Sequence, residues 1–381
     1  MTDNERTLIS IVKSVVCNNS SVCELNITDI EDFYLLAKSQ DLAHIVGYYL
    51  DKHCCQINSI YMDLFQKEYV KSIYRVVSLN EELRKIKIVF DKNHVSYVPL
   101  KGAVMRKIYP EEWMRVSADL DILISPEDLE HAKKLLIDEL DYSFESDVAH
   151  QVALSSIKGF VVELHRSLSL MQCKARVVLN RVWDYCFLSF KDSCMYQMTN
   201  EMLYFYQVFN ASKDFQKGGC GVRQVLDIWM MNRQIEFDIF ERNKLLEEGG
   251  ILLFSNVIES IGKEWFSDCN IVKSQYSDVE KYILSGGSHG QKQLVAARQA
   301  KSGSRTRYIL SRVFPSHSSL IFGYPILKKY PFLIPLCWIH RLLKGLFSGK
   351  IKIAEYELKK SKEVIDDSNK MEELFQRLGL M

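Results

Sequence analysis

The chain has 381 residues, 47% of them hydrophobic and 25% charged, with 49 Lys and Arg against 48 Asp and Glu. This ordinary globular composition excludes wholesale disorder, and a net charge of +1 excludes a polycation built to coat nucleic acid. The total hides a local imbalance, because residues 301–352 carry ten bases and no acid while the remainder sums to −9.

The N-terminus MTDNERTLIS has early acids and no apolar core of the signal-peptide kind, and no run of 18 apolar residues follows. The ten cysteines form no CxxC pair. A cytoplasmic protein with reduced thiols is therefore expected. Cys54 and Cys55, with His44 and His53 nearby, offer either a metal-ligand set or a helical core position.

Residues 1–90 read as helical, with apolar positions three and four apart in TLISIVKSVV and DFYLLAKSQDLAHIVGYYL. Thr28 or Asp29 caps the second of these, and residues 66–91 form a further helix. The texture changes at Val95-Ser-Tyr-Val-Pro-Leu100, a strand that ends in a turn at Lys101-Gly102. A short helix over 103–109 follows. Residues 117–125 alternate, with Leu120, Ile122 and Ile124 on one face and Asp119 and Asp121 on the other, which predicts a half-buried strand. Ser125-Pro126 reads as the N-cap and first residue of the next helix. Two strands, 150–157 and 160–165, flank Lys158-Gly159 as a hairpin. Val161, Glu163 and His165 share one face of the second. From about 178 the pattern is helical, broken at 218–221, 285–288 and 302–304. The expected fold class is α+β, with segments at 1–90 (helical), 91–195 (α/β core), 196–300 (helical) and 301–381 (basic and aromatic, helical).

Two carboxylates at i and i+2 of a strand lie on one face, with Cα atoms about 6–7 Å apart. Their hard oxygens suit magnesium, and a pair of metals can clamp the attacking and leaving oxygens of a phosphoryl transfer. Glu163, an acid on an otherwise apolar strand, is the natural third ligand. A solvated sheet face explains an isolated Asp-x-Asp equally well. The Lys101-Gly102-Ala103 turn before a helix favours the first reading, since backbone N–H groups there suit phosphate oxygens. Arg115 and Ser117 precede the Asp pair closely enough to share its site.

Gly102-Ala103, Asp119-Leu-Asp121 and Glu163 resemble the nucleotidyltransferase superfamily typified by DNA polymerase β. More closely, LKGAVMRKIYP, RVSADLDILIS, VVELH and GGCGVRQVLDIWM resemble a bacterial uncharacterised nucleotidyltransferase family often found near surface-polysaccharide genes. LAKSQDLAHIVGYYL and the terminal Leu378-Gly-Leu380 fit it as well. The resemblance implies a polymerase-β-like core with a small mixed sheet, flanked by helical regions. It implies transfer of a nucleotidyl group from an NTP to an acceptor, a sugar, RNA or protein. Asp119, Asp121 and Glu163 would hold two Mg2+ ions, with Mn2+ as the alternative. Lys101, Gly102, Ala103, Arg115 and Ser117 would bind nucleotide, Lys213, Arg223 and Asp227 would bind its phosphate or base or else the acceptor, and His165 would touch the acceptor or orient Glu163. A non-catalytic nucleotide-binding protein and a toxin-like enzyme that modifies tRNA or protein are the alternatives on this scaffold. Two departures from the family pattern stand out. Ala103 lacks the hydroxyl a Ser would offer, and Asn210 and Asp214 stand around Lys213 where relatives tend to carry histidines. For Arg223 and Asp227, an i,i+4 ion pair on a helix is the plain alternative.

SGGSHG at 285–290 imitates a phosphate loop but has no preceding strand, and is expected to be a linker. The ten bases of 301–352 interleave with Phe314, Phe322, Tyr324, Tyr330, Phe332, Trp338 and Phe347. Three partners fit that pattern: a polyphosphate-bearing substrate, an anionic membrane surface contacted peripherally, or RNA.

Overall fold

The computed structural model describes residues 1–18, 25–53, 55, 57–148, 150–168, 173–191, 193–267, 275–287, 330–347 and 365–381, with isolated positions 310, 314, 320, 324 and 327. Four helices lead into the sheet: α1 (Asp3–Val16), α2 (Ile30–Ser39), α3 (Ala43–Lys52) and α4 (Ser59–Lys92). Thr2 and Glu5 close a capping box on α1, and Asp29 caps α2 by accepting from the Asp32 N–H. The 34 residues of α4 reach about 50 Å. Its first part packs against α3 at Gly47, where a Cβ would stand 2.3 Å from the Phe65 carbonyl oxygen. Its second part lends Leu79, Ile86 and Phe90 to the core beneath the sheet. The helix thus begins several residues before the expected start at 66 and joins two parts of the molecule.

The architecture is α+β, with a small mixed sheet set among helices that include the short α5 (Gly102–Met105) and α7 (Ala175–Leu179) and the later α10 (Ile239–Glu248). The five strands are β1 (Tyr97–Pro99), β2 (Asp119–Ile124), β3 (Ser143–Val148), β4 (Gln151–Ser155) and β5 (Val161–His165), ordered β1-β2-β5-β4-β3. β2 and β5 are parallel, and the other pairings are antiparallel. Leu120, Ile122 and Ile124 of β2 and Val162 and Leu164 of β5 point into a core closed by α4 and by α6 (Leu129–Leu140). The period of two then sends Asp119, Asp121, Glu163 and His165 to the opposite face. The parallel register pairs Asp121 with Glu163 and Leu123 with His165.

Across that face lie α8 (Asn200–Phe215) and α9 (Val222–Gln234), joined by the turn at 218–221. They share one apolar core with α1, α2, α3 and α11 (Leu252–Phe266), built on residues such as Leu8, Phe33, Tyr49, Phe205, Val225 and Phe254. The N-terminal helices and those after residue 196 therefore pack together.

Several local expectations need correction. α6 starts at Leu129 with Asp128 at its cap position, because 125–128 form a turn closed by the Asp128 N–H donating to the Ser125 carbonyl. β3 is an exposed polar strand, SFESDV, whose sequence offers no apolar face to signal it. A two-stranded ribbon, β6 (Cys186–Leu188) with β7 (Tyr196–Met198), lies where helix was expected. No described helix is long and apolar enough to cross a membrane. The side chains of all ten bases of 301–352 lie outside the described residues, as do Cys54 and 288–290.

Candidate active site

β1 ends at Pro99, and the chain turns at Lys101 with φ of 42°, a left-handed conformation that is strained for a side chain other than glycine. The turn brings the Lys101 Nζ within 2.6 Å of Asp121 Oδ1. His165 Nε2 donates to the same oxygen at 2.7 Å and lies 3.6 Å from Glu163 Oε2. Asp121 and His165 are buried, and Glu163 is partly open. One donor atom each from Asp121, Glu163 and His165 lies within 4.8 Å of the others, close enough to hold a metal ion. Two carboxylates and an imidazole form a donor set that divalent ions accept. Asp119 shares the face of Asp121 but is not one of that trio, and it lines the adjoining cleft.

Burial opposes ionisation of Asp121, but the His165 hydrogen bond and the Lys101 ammonium outweigh it and hold the carboxyl well below the usual range. Burial and the Asp121 charge push Asp119 up, against the pull of Lys101. Burial disfavours the His165 imidazolium, yet its bonds to Asp121 and Glu163 prevail and raise it. For Lys101, burial is likewise overcome by Tyr206 and Asp121 beside it. Lys101 and His165 thus converge on one oxygen of Asp121 at the centre of this acidic cluster.

The cleft beside the cluster has a volume of about 860 Å3. Lys101, Gly102, Arg115, Ser117, Asp119 and Asp121 line it from the sheet side. Lys71 and Arg75 of α4, Lys38 of α2 and Lys158 of the hairpin add positive charge, and none of these was singled out from sequence. Lys71 and Arg75 had a detectable signal, two cations at i,i+4 on one helical face. Arg75 donates to the carbonyls of Ser117 and Ala118 and covers the Phe160 ring at 5.0 Å.

Gly102 abuts Ser117, so that a Cβ there would fall 2.5 Å from the Ser117 Cβ. Ser117 Oγ donates to the Asp119 carbonyl and accepts from Arg106 Nη2. The Arg106 guanidinium is fully buried, and burial together with the nearby Arg115 lowers its pKa to about 10. Ala103 is buried, and the hydroxyl pressed against the turn is that of Ser117. Gly102→Ala is expected to cost about 1–3 kcal/mol by overpacking this contact. Urea denaturation checks that figure, and a cost below about 0.5 kcal/mol would show that the turn yields freely.

Arg115 Nε contacts both oxygens of Asp227, at 2.7 and 3.0 Å, and Tyr109 donates to the same carboxylate at 2.7 Å. Arg223 pairs instead with Asp41, at 2.9 Å. The i,i+4 pair between Arg223 and Asp227 is therefore not formed, because each finds a partner on another element. Lys213 donates to Asn210 Oδ1 at 3.1 Å. Lys101, Arg115, Arg223, Lys213 and Asp227 all border a second, smaller cavity of about 180 Å3.

His44 lies in the wall of the large cleft, where its Nε2 donates to the Met114 carbonyl at 3.0 Å. Burial lowers its pKa to about 4, helped by Arg223 and Arg115 and resisted by the Met114 bond and Asp41. The folded value lies below the unfolded one, so the unfolded state takes up the proton first. Stability should therefore fall as pH drops from about 6.5 towards 4, by about 1.4 kcal/mol per unit. Relative to His44→Gln, the native protein should lose about 2 kcal/mol between pH 6.5 and 5 in urea denaturation. Parallel curves would contradict the neutral buried state.

A family model described as an uncharacterised nucleotidyltransferase matches residues 26–254, more than half of the chain. No curated protein and no solved structure matches the chain.

Proposed function

We propose that the chain, which belongs to the uncharacterised nucleotidyltransferase family, transfers a nucleotidyl group from an NTP to an acceptor in a metal-dependent reaction on a polymerase-β-like core. The observation that carries this reading is the buried Asp121-Glu163-His165 cluster beside the Lys101-Gly102 turn, at the edge of a cation-rich cleft.

A cleft of about 860 Å3 is of nucleotide-binding size. Its phosphate end would be the Lys101-Gly102-Ala103 turn, with Ser117 and Arg115 beside it. Asp121 and Glu163, joined by Asp119, would hold Mg2+ or Mn2+, and His165 would either ligate or orient Glu163. When bound, such ions neutralise phosphate oxygens and stabilise charge on the leaving pyrophosphate. The chain's own contributions are distinct. Lys101 moves its charge from Asp121 towards the triphosphate. Arg115, locked by Asp227 and Tyr109, stays fixed as a wall of the cleft. Arg75 anchors the 117–118 backbone that leads into the carboxylate strand.

Pyrophosphate release from Mg-NTP, measured across candidate acceptors, tests the reading. The native protein should release it with at least one acceptor, and Asp119→Asn/Asp121→Asn should not. Release unchanged by the double substitution would sink the proposal.

A further inference from the structure

The small cavity of about 180 Å3 is not explained by the nucleotide cleft. α8 supplies Gln207, Asn210, Lys213 and Asp214 to its wall, and α9 supplies Arg223, Gln224 and Asp227. Lys101, Arg115 and Arg223 border both cavities, so a group held here lies beside the same Lys101 that pairs with Asp121. The space equals about six waters, too little for a nucleotide and enough for a phosphate group with its first attached atoms.

Its polar groups are underused. Asp227 is taken by Arg115 and Tyr109. Arg223 spends Nη1 on Asp41, while its buried Nε has no partner among the described residues. The Lys213 ammonium is held by Asn210 and forms no ion pair among the described residues. Gln207 is 8% exposed, and its side-chain amide has no hydrogen bond among the described residues. Burial, offset by Asp214 and reinforced by Lys101, lowers the Lys213 pKa, as expected of a cation that lacks an anion. A buried donor such as the Arg223 Nε is costly without an acceptor, and a phosphate would satisfy it together with the Lys213 ammonium and the Gln207 amide.

We propose that this cavity receives the phosphate of a phosphorylated acceptor, so that the reaction joins the nucleotidyl group to a phosphate monoester. The inference rests on the nucleotidyltransferase reading above. In the step, an oxygen of the monoester forms a bond to the α-phosphorus of the NTP. The bond from that phosphorus to the bridging oxygen of the β-phosphate breaks, and its electron pair leaves with pyrophosphate. The product is a nucleoside diphosphate ester. A monoester is mostly dianionic near neutral pH, so no proton has to be removed from the nucleophile.

Calorimetry with inorganic phosphate as the probe tests the proposal. The native protein is first saturated with magnesium and a non-hydrolysable NTP analogue, and then titrated with phosphate. Phosphate should bind to the loaded protein. Lys213→Met should weaken that binding by about tenfold, the weight of one charge-assisted hydrogen bond, and leave analogue affinity within about threefold. Gln207→Leu, which keeps the charge, should also weaken phosphate and spare the analogue. Competition between phosphate and the analogue in the native protein would overturn the proposal and give the cavity to the β- and γ-phosphates. So would equal weakening of both ligands by Lys213→Met. Absence of phosphate binding to a protein that does bind the analogue would overturn it while leaving the nucleotidyltransferase reading intact. Failure of the analogue to bind at all would instead strike that reading, and this inference with it.

Discussion

Asp121→Asn should lower nucleotidyl transfer by about a thousandfold or more. Asp121 is the buried member of the carboxylate cluster, with one oxygen receiving both the Lys101 ammonium and the His165 Nε2–H. An amide of the same shape cannot carry the negative charge a divalent ion requires. Charge stabilisation of several kcal/mol is then lost, at about 1.4 kcal/mol per decade of rate. The substitution also leaves Lys101 and His165 facing a neutral group. Their charge-assisted bonds weaken, at a cost of about 1.5–3 kcal/mol in stability. Urea denaturation separates the two effects, because loss of activity should persist at temperatures where the variant is fully folded. A folded variant retaining a tenth of native activity or more would show that Asp121 does not hold the ion.

Asp227→Ala should be the most destabilising single substitution among the site residues, at about 3–5 kcal/mol. Both members of the Arg115–Asp227 pair are buried, with side-chain exposures of 8% and 3%. Burial opposes the Arg115 charge, and Asp227 more than repays that cost and raises the guanidinium above its ordinary pKa. Removing the carboxylate strands Arg115 close to Arg106 and Arg223 and deprives the Tyr109 hydroxyl of its acceptor. Water relieves neither change fully, because both side chains are mostly buried. Arg115→Met/Asp227→Leu should recover much of the loss, since no unpaired charge then remains. Denaturant midpoints for the single and double variants check this. A loss below about 1 kcal/mol for Asp227→Ala would mean that the pair contributes little.

The sheet face that carries the carboxylates was legible because the strand signal is local. Alternation in DLDILI assigns Leu120, Ile122 and Ile124 to the core and the two aspartates to the other side, without knowledge of neighbours. The hairpin around Lys158-Gly159 was equally local, with Gly159 at φ of 77°. What the sequence left open is tertiary. Arg223 and Asp227 satisfy the i,i+4 spacing, yet Asp227 meets Arg115 from 112 positions earlier and Arg223 meets Asp41. A buried guanidinium takes the partner that shares its desolvated site, and spacing on one helix does not reveal that choice. His165 could be read either as a core histidine or as a functional one. Its Nε2 lies within reach of both Asp121 and Glu163, a placement that strand periodicity alone does not give. β3 and the β6-β7 ribbon were missed for a different reason, since short or exposed strands have no continuous apolar face to betray them.

If the proposed function is right, this cluster should hold the divalent ion on which NTP binding depends. Calorimetric titration of the native protein and Glu163→Gln with NTP, each with and without magnesium, tests it most directly. NTP binding should strengthen with magnesium in the native protein and lose that magnesium dependence in Glu163→Gln. NTP binding that ignores both magnesium and the substitution would contradict it and leave a scaffold that holds nucleotide without chemistry.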